Sequence, residues 1–179
     1  MSRRLVQYLI LSLLSGVLSL AQFSLISALP WPWSNANLVV VAVIFAFLVL
    51  GRDRAWFLAL TAGWFLDVWS FHPFGLSMLS LLASAVIVHL VLENWLTNRS
   101  LYSFLLLTVI AISADALIYN ILSTILDWSG SSAQFFLISG SFWEFLIWSI
   151  LLGVVIVGLF FNLLAVVSRR LQPFFLKDR

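Results

Sequence analysis

The sequence predicts an all-α integral membrane protein with six transmembrane helices, forming a single membrane domain over residues 1–179. Three observations predict it. Hydrophobic residues make up 63% of the chain and charged residues only 9%, against roughly 25% charged residues in a soluble domain. The apolar residues fall into runs near the length of about 20 residues that a helix needs to cross the hydrocarbon core. The basic residues sit between those runs, on one side only.

Span one covers residues 5–29 and stops at "PWPW". Pro30 and Pro32 break the helix there, and Trp31 and Trp33 suit the membrane interface. No signal-peptide cleavage site is apparent, so this run reads as a retained span. Span two covers residues 36–50 and ends at "GRDR". It is short, which predicts local bilayer thinning or snorkelling by Arg52. Span three covers residues 55–70. "FHPFG" then turns the chain, with Pro73 and Gly75 as the turn formers. Span four covers residues 76–92 and span five residues 101–126. The last apolar stretch, residues 134–167, exceeds one crossing. It reads either as one long helix or as an interfacial or re-entrant piece followed by a helix.

With this count, all nine Lys and Arg residues lie on one face. Arg3 and Arg4 precede span one, Arg52 and Arg54 separate spans two and three, and Arg99 separates spans four and five. Arg169, Arg170, Lys177 and Arg179 follow span six. The positive-inside rule then places both termini in the cytoplasm. The same rule accounts for the net charge of +2 without an anionic partner, and no nucleic-acid signature accompanies it.

Three carboxylates fall within spans: Asp67, Asp115 and Glu144. At about 1.5 Å per residue, Asp67 lies roughly 18 Å into span three and Asp115 roughly 21 Å into span five. Glu144 lies about 15 Å from the outer end of span six. These depths predict one shared polar centre. Each acid follows a small residue by four positions: Gly63, Ala111 and Gly140. Residues i and i+4 share a helix face, and small residues let helices approach closely. Ser70, Ser141 and Tyr119 extend the polar faces. No Lys or Arg lies inside a span, and His89 belongs near the cytoplasmic end of span four. An unpaired charge at the bilayer centre costs about 2.5–3.5 kcal/mol on the insertion scale. At least one acid therefore either stays protonated or is held by hydroxyl and amide donors. Two readings remain open: interhelical hydrogen-bond contacts, or sites for a cation, proton or substrate.

Other chemistries find little support. The chain has no cysteine, which removes thiolate metal sites and Cys nucleophiles. His72 and His89, the only histidines, fall on opposite faces and make no zinc site. No serine shares a depth with a histidine base, so an enzyme is not expected, nor is a cofactor. Ser12–Gly16 and Ser15–Ser19 are small-residue pairs suited to packing within the chain or against a partner. Gly153 and Gly158 read as bending points.

The segment "NANLVVVAVIFAFLVLGRDRAWFLALTAGWFLDVWSFHPFGLSMLSLLASAVIVHLV" resembles the bacterial rod-shape-determining membrane protein family MreD. Asn37, Gly63, Asp67 and Gly75 stand at the family's Asn, "G-x-x-x-D" and following Gly positions. Asp115 of "TVIAISADALIYNIL" matches an Asp of the family's fifth span. Ala36 departs from the Pro that often precedes the Asn. The last third, with Glu144, has no counterpart in the family, which leaves its role open. The resemblance implies a non-catalytic scaffold of the cell-wall elongation complex in the bacterial inner membrane. Its implied partners are an MreC-like single-span protein and, through it, wall synthases and MreB. It also implies a fold similar to the substrate-binding subunit of energy-coupling-factor vitamin transporters, and such a subunit is the rival expectation. That rival predicts an outward-open cavity lined by Trp residues and one or more of the three acids.

Overall fold

The structure is a computed structural model and describes residues 3–70, 73–94, 101–127 and 140–175. Six α-helices follow one another: α1 (Arg3–Leu20), α2 (Leu38–Val49), α3 (Arg52–Trp69), α4 (Leu76–Asn94), α5 (Leu101–Asp127) and α6 (Gly140–Phe175). α1 continues as a π-helical stretch (Ala21–Ile26), and a 3₁₀ turn (Trp33–Asn35) precedes α2. Among the described residues, four stretches are long and apolar enough to cross a membrane: Leu5–Ile26, Leu76–Asn94, Tyr102–Ile125 and Gly140–Phe160. The chain thus has the character of a multi-pass membrane protein. α6 is one continuous helix from Gly140; residues 134–139 of the expected sixth span, and His72, lie outside the described residues.

α1 packs on α3, α3 on α4, α4 on α5 and α5 on α6, while α2 touches all five other helices. Val39, Val40, Val41, Val43, Ile44 and Ala46 of α2 are all buried. A helix that is apolar all round belongs in the interior, and α2 is the central helix of the bundle. Its 12 residues span only about 18 Å.

The two ends of the bundle differ. At the basic end, Arg52 Nη1 donates to Glu93 Oε1 at 3.1 Å, and Arg54 Nη2 donates to Gln7 Oε1 at 3.4 Å. These bonds bring the start of α1, the α2–α3 corner and the end of α4 to one level. His89 sits there too, its Nε2 3.4 Å from Glu93 Oε1, beside the rings of Phe47 and Trp56. Gly51, at φ +90°, makes the sharp turn between α2 and α3, a conformation that a Cβ would penalise. Arg52 therefore engages α4. The shortness of α2 arises at its other end, where the helix starts at Asn37 inside the bundle.

Candidate functional site

At the end opposite the arginines, the α3–α4 corner is built around Asp67. This carboxylate is 3% exposed. Oδ1 accepts the Ser77 backbone N–H at 2.8 Å, and Oδ2 accepts those of Gly75 and Met78, each at 3.0 Å. The first turn of a helix has N–H groups with no partner inside the helix. Asp67 reaches across from the last turn of α3 and supplies the missing acceptors. Gly75 takes φ +99°, which turns its N–H toward the carboxylate. One turn back along α3, Gly63 lies against the α4 backbone: a Cβ there would stand 2.7 Å from Met78 Cα. The spacing Gly63-x-x-x-Asp67 thus puts the close approach and the cap on one face of α3.

The second acid sits in different surroundings. Asp115 lies 14 residues after the start of α5 and 12 before its end, so about 20 Å from either terminus. Asn37 Nδ2 donates to Asp115 Oδ2 at 3.1 Å, while Asn37 Oδ1 accepts the Val40 N–H at 3.2 Å and caps α2. The start of α2 is therefore level with the middle of α5. Gln22 braces this junction from the π-helical stretch, accepting the Leu38 N–H and donating to the Ala36 carbonyl, both at 2.8 Å. Because α2 stops here, a cavity of about 500 Å³ opens beyond it. Gln22, Asn37, Ser77, Asp115, Tyr119 and Asn120 line it, with Phe142, Phe145 and Ser149 of α6 on the far wall. Asp115 Oδ1 and Asn120 Oδ1 are buried there without a hydrogen-bond partner among the described residues.

The expected single polar centre is not formed. Asp67 is enclosed in its own corner and does not line the cavity, and neither does Glu144. Glu144 lies four residues after the start of α6 and is exposed, with Trp143 and Phe145 beside it. Gly140 faces open space, so the third small-residue face packs against nothing among the described residues. Gly63 and Ala111 are both packed, Ala111 being fully buried. Gly153, expected as a bending point, instead makes room for the Ile112 side chain of α5. Span one's small pairs pack within the chain: Ser15 and Ser19 are fully buried, Ser19 Oγ donates to the Ala62 carbonyl at 3.1 Å, and Gly16 rests on the Phe65 ring.

Sequence reasoning missed Gln22 and Asn120. Both are amides within long apolar runs, where a buried polar group costs several kcal/mol unless bonded. That cost was the available signal, fainter than that of a carboxylate because an amide carries no charge. Among the described residues, no group of three His, Asp or Glu side chains comes together to hold a metal. Comparison with protein-family models, curated proteins and solved structures finds no match to this chain.

Proposed function

We propose that this chain is a non-catalytic membrane scaffold of the MreD kind. In this reading it is a six-span protein of the bacterial inner membrane with both termini in the cytoplasm. It acts in lateral wall synthesis by binding an MreC-like single-span protein, with wall synthases and MreB joined indirectly. One observation carries the reading: the residues on which the resemblance rests pair with one another. Asn37 bonds Asp115 across 78 positions of sequence. Asp67 holds the Gly75 N–H, and Gly63 lies against the helix that Gly75 opens. A chance match of short motifs would not be expected to converge in this way. Both groupings hold helices together, which suits a rigid body that presents its flanks to partners. The bonds at the basic end support the topology, because they place Arg52, Arg54 and the start of α1 at one level.

A second reading, a substrate-binding subunit of an energy-coupling-factor type transporter, is favoured by the cavity beside Asp115. No Trp among the described residues lines that cavity, contrary to what that reading expects. The test is a mild-detergent pull-down of the tagged protein from its native membranes. The scaffold reading expects a single-span coiled-coil protein and wall synthases. Recovery of ATPases with a shared multi-span coupling protein would overturn it in favour of the carrier.

A further inference from the structure

We propose that the cavity beyond the start of α2 is a binding site for a primary ammonium group, one that brings several N–H donors on a small or narrow body. The argument begins with valence. An ionised carboxylate and an amide oxygen are acceptors. Asp115 Oδ1 and Asn120 Oδ1 both stand at this cavity, buried and without a partner among the described residues. Asn120 is 8% exposed. Two nearby donors are engaged: Asn37 Nδ2 bonds the other Asp115 oxygen, and the Ser77 N–H is held by Asp67. The Ser80 hydroxyl donates to the Ser77 carbonyl at 3.1 Å and also lies within hydrogen-bonding reach of Asp115, but its single proton cannot fully serve both. An occupant that brings its own donors would fill the capacity left open.

Charge points the same way. Among the described lining residues Asp115 is the only ionisable acid or base, and the phenol is Tyr119. Aromatic side chains Tyr119, Phe142 and Phe145 share the wall, and ring faces attract cations. The volume of about 500 Å³ is that of a small-molecule site. Two sources carry this chemistry inside a membrane: a soluble amine, or the headgroup of phosphatidylethanolamine. Tetramethylammonium has the charge without the N–H groups, so it separates donor recognition from simple cation attraction.

The natural absence of cysteine gives a clean reporter. Ser149→Cys places one thiol on the cavity wall, on α6 rather than on the helix that carries both acceptors. The protein is reconstituted in phosphatidylcholine nanodiscs and the rate of N-ethylmaleimide labelling is measured. Putrescine, tetramethylammonium, or phosphatidylethanolamine in the disc is then added. The expected result is slower labelling with putrescine or with phosphatidylethanolamine, and much weaker protection by tetramethylammonium, which the ring faces attract but which brings no N–H donor. Protection by putrescine assigns a soluble amine; protection by phosphatidylethanolamine alone assigns the headgroup. Adding Asp115→Asn, or separately Asn120→Leu, should weaken protection about tenfold or more, the loss expected for a bond to a charged group. The Asn120→Leu variant leaves the Asn37–Asp115 bond in place and guards against a folding defect in the first. The proposal is overturned if the thiol is never labelled, if neither amine protects, if tetramethylammonium protects equally, or if both variants stay fully protected. Since pull-down partners are not read in this assay, its failure leaves the scaffold reading standing.

Discussion

Asp67 and Asp115 are the same residue, set in neighbouring layers of one bundle, yet their surroundings differ. Both oxygens of Asp67 are filled by three backbone N–H groups of a helix start. That carboxylate is committed to the start of α4 and does not line the cavity, so its work is structural. Asp115 has one oxygen held by Asn37 and the other open at a cavity. The lesson is that depth in the membrane and residue type do not make a buried acid a binding group. Unfilled hydrogen-bonding capacity beside a space does.

Substitutions can break or sharpen this contrast, and the largest effect belongs to Asp67. Asp67→Leu removes three bonds of about 1.5–3 kcal/mol each and leaves buried N–H groups without acceptors, so a loss of about 4 kcal/mol or more is expected. It should appear as a large fall in the detergent unfolding temperature, or as absence of a monodisperse protein. Asp67→Asn should fall between parent and Leu, because its NH₂ must face a backbone donor in one of the two oxygen positions. A melting curve for Asp67→Leu that matches the parent would end the structural account of this corner.

Gly63→Ala comes next. Its Cβ meets α4 backbone, which cannot yield as a side chain can, and overpacking costs about 1–3 kcal/mol. A helix-propensity gain of about 1 kcal/mol offsets part of this. Gly153→Ala is the control. Its Cβ meets the end of the Ile112 side chain, which can turn away, so a smaller loss of under about 1 kcal/mol is expected. If the two alanines melt together, the α3–α4 contact is not the tight one.

The smallest effect is expected at Asp115. Asp115→Asn keeps an acceptor for Asn37, so its stability should stay within about 1 kcal/mol of the parent. The same thermal melt checks this, and a loss as large as that of Asp67→Leu would erase the difference between the two acids.

Much of the site was legible in the sequence. Gly63, Asp67 and Asp115 stand out because Gly and Asp are costly in apolar helices unless something uses them; Gly75 stands out as a turn former, and Asn37 only through the resemblance to the MreD family. Their pairing was not legible. Asn37 and Asp115 lie 78 positions apart, and periodicity along a helix says nothing about which helix faces it. The depth of Glu144 was not legible, because an apolar run continues through residues 134–139 and gives the sixth span no punctuation from which to count. The amides Gln22 and Asn120 carry no charge and so gave a fainter signal than the acids.

The sequence by itself determined the membrane class, the six helices and the grouping of basic residues. These follow from local quantities: apolar run length, helix-breaking Pro and Gly, and the cost of burying charge. Only the tertiary structure decided that α2 lies at the centre and stops midway along α5, so that a cavity opens beyond it. It also decided that one aspartate is filled while the other is left open. Those facts depend on which helix ends meet in space. A helix start offers its N–H groups to whatever residue packs beside it, and packing is settled by the whole bundle at once.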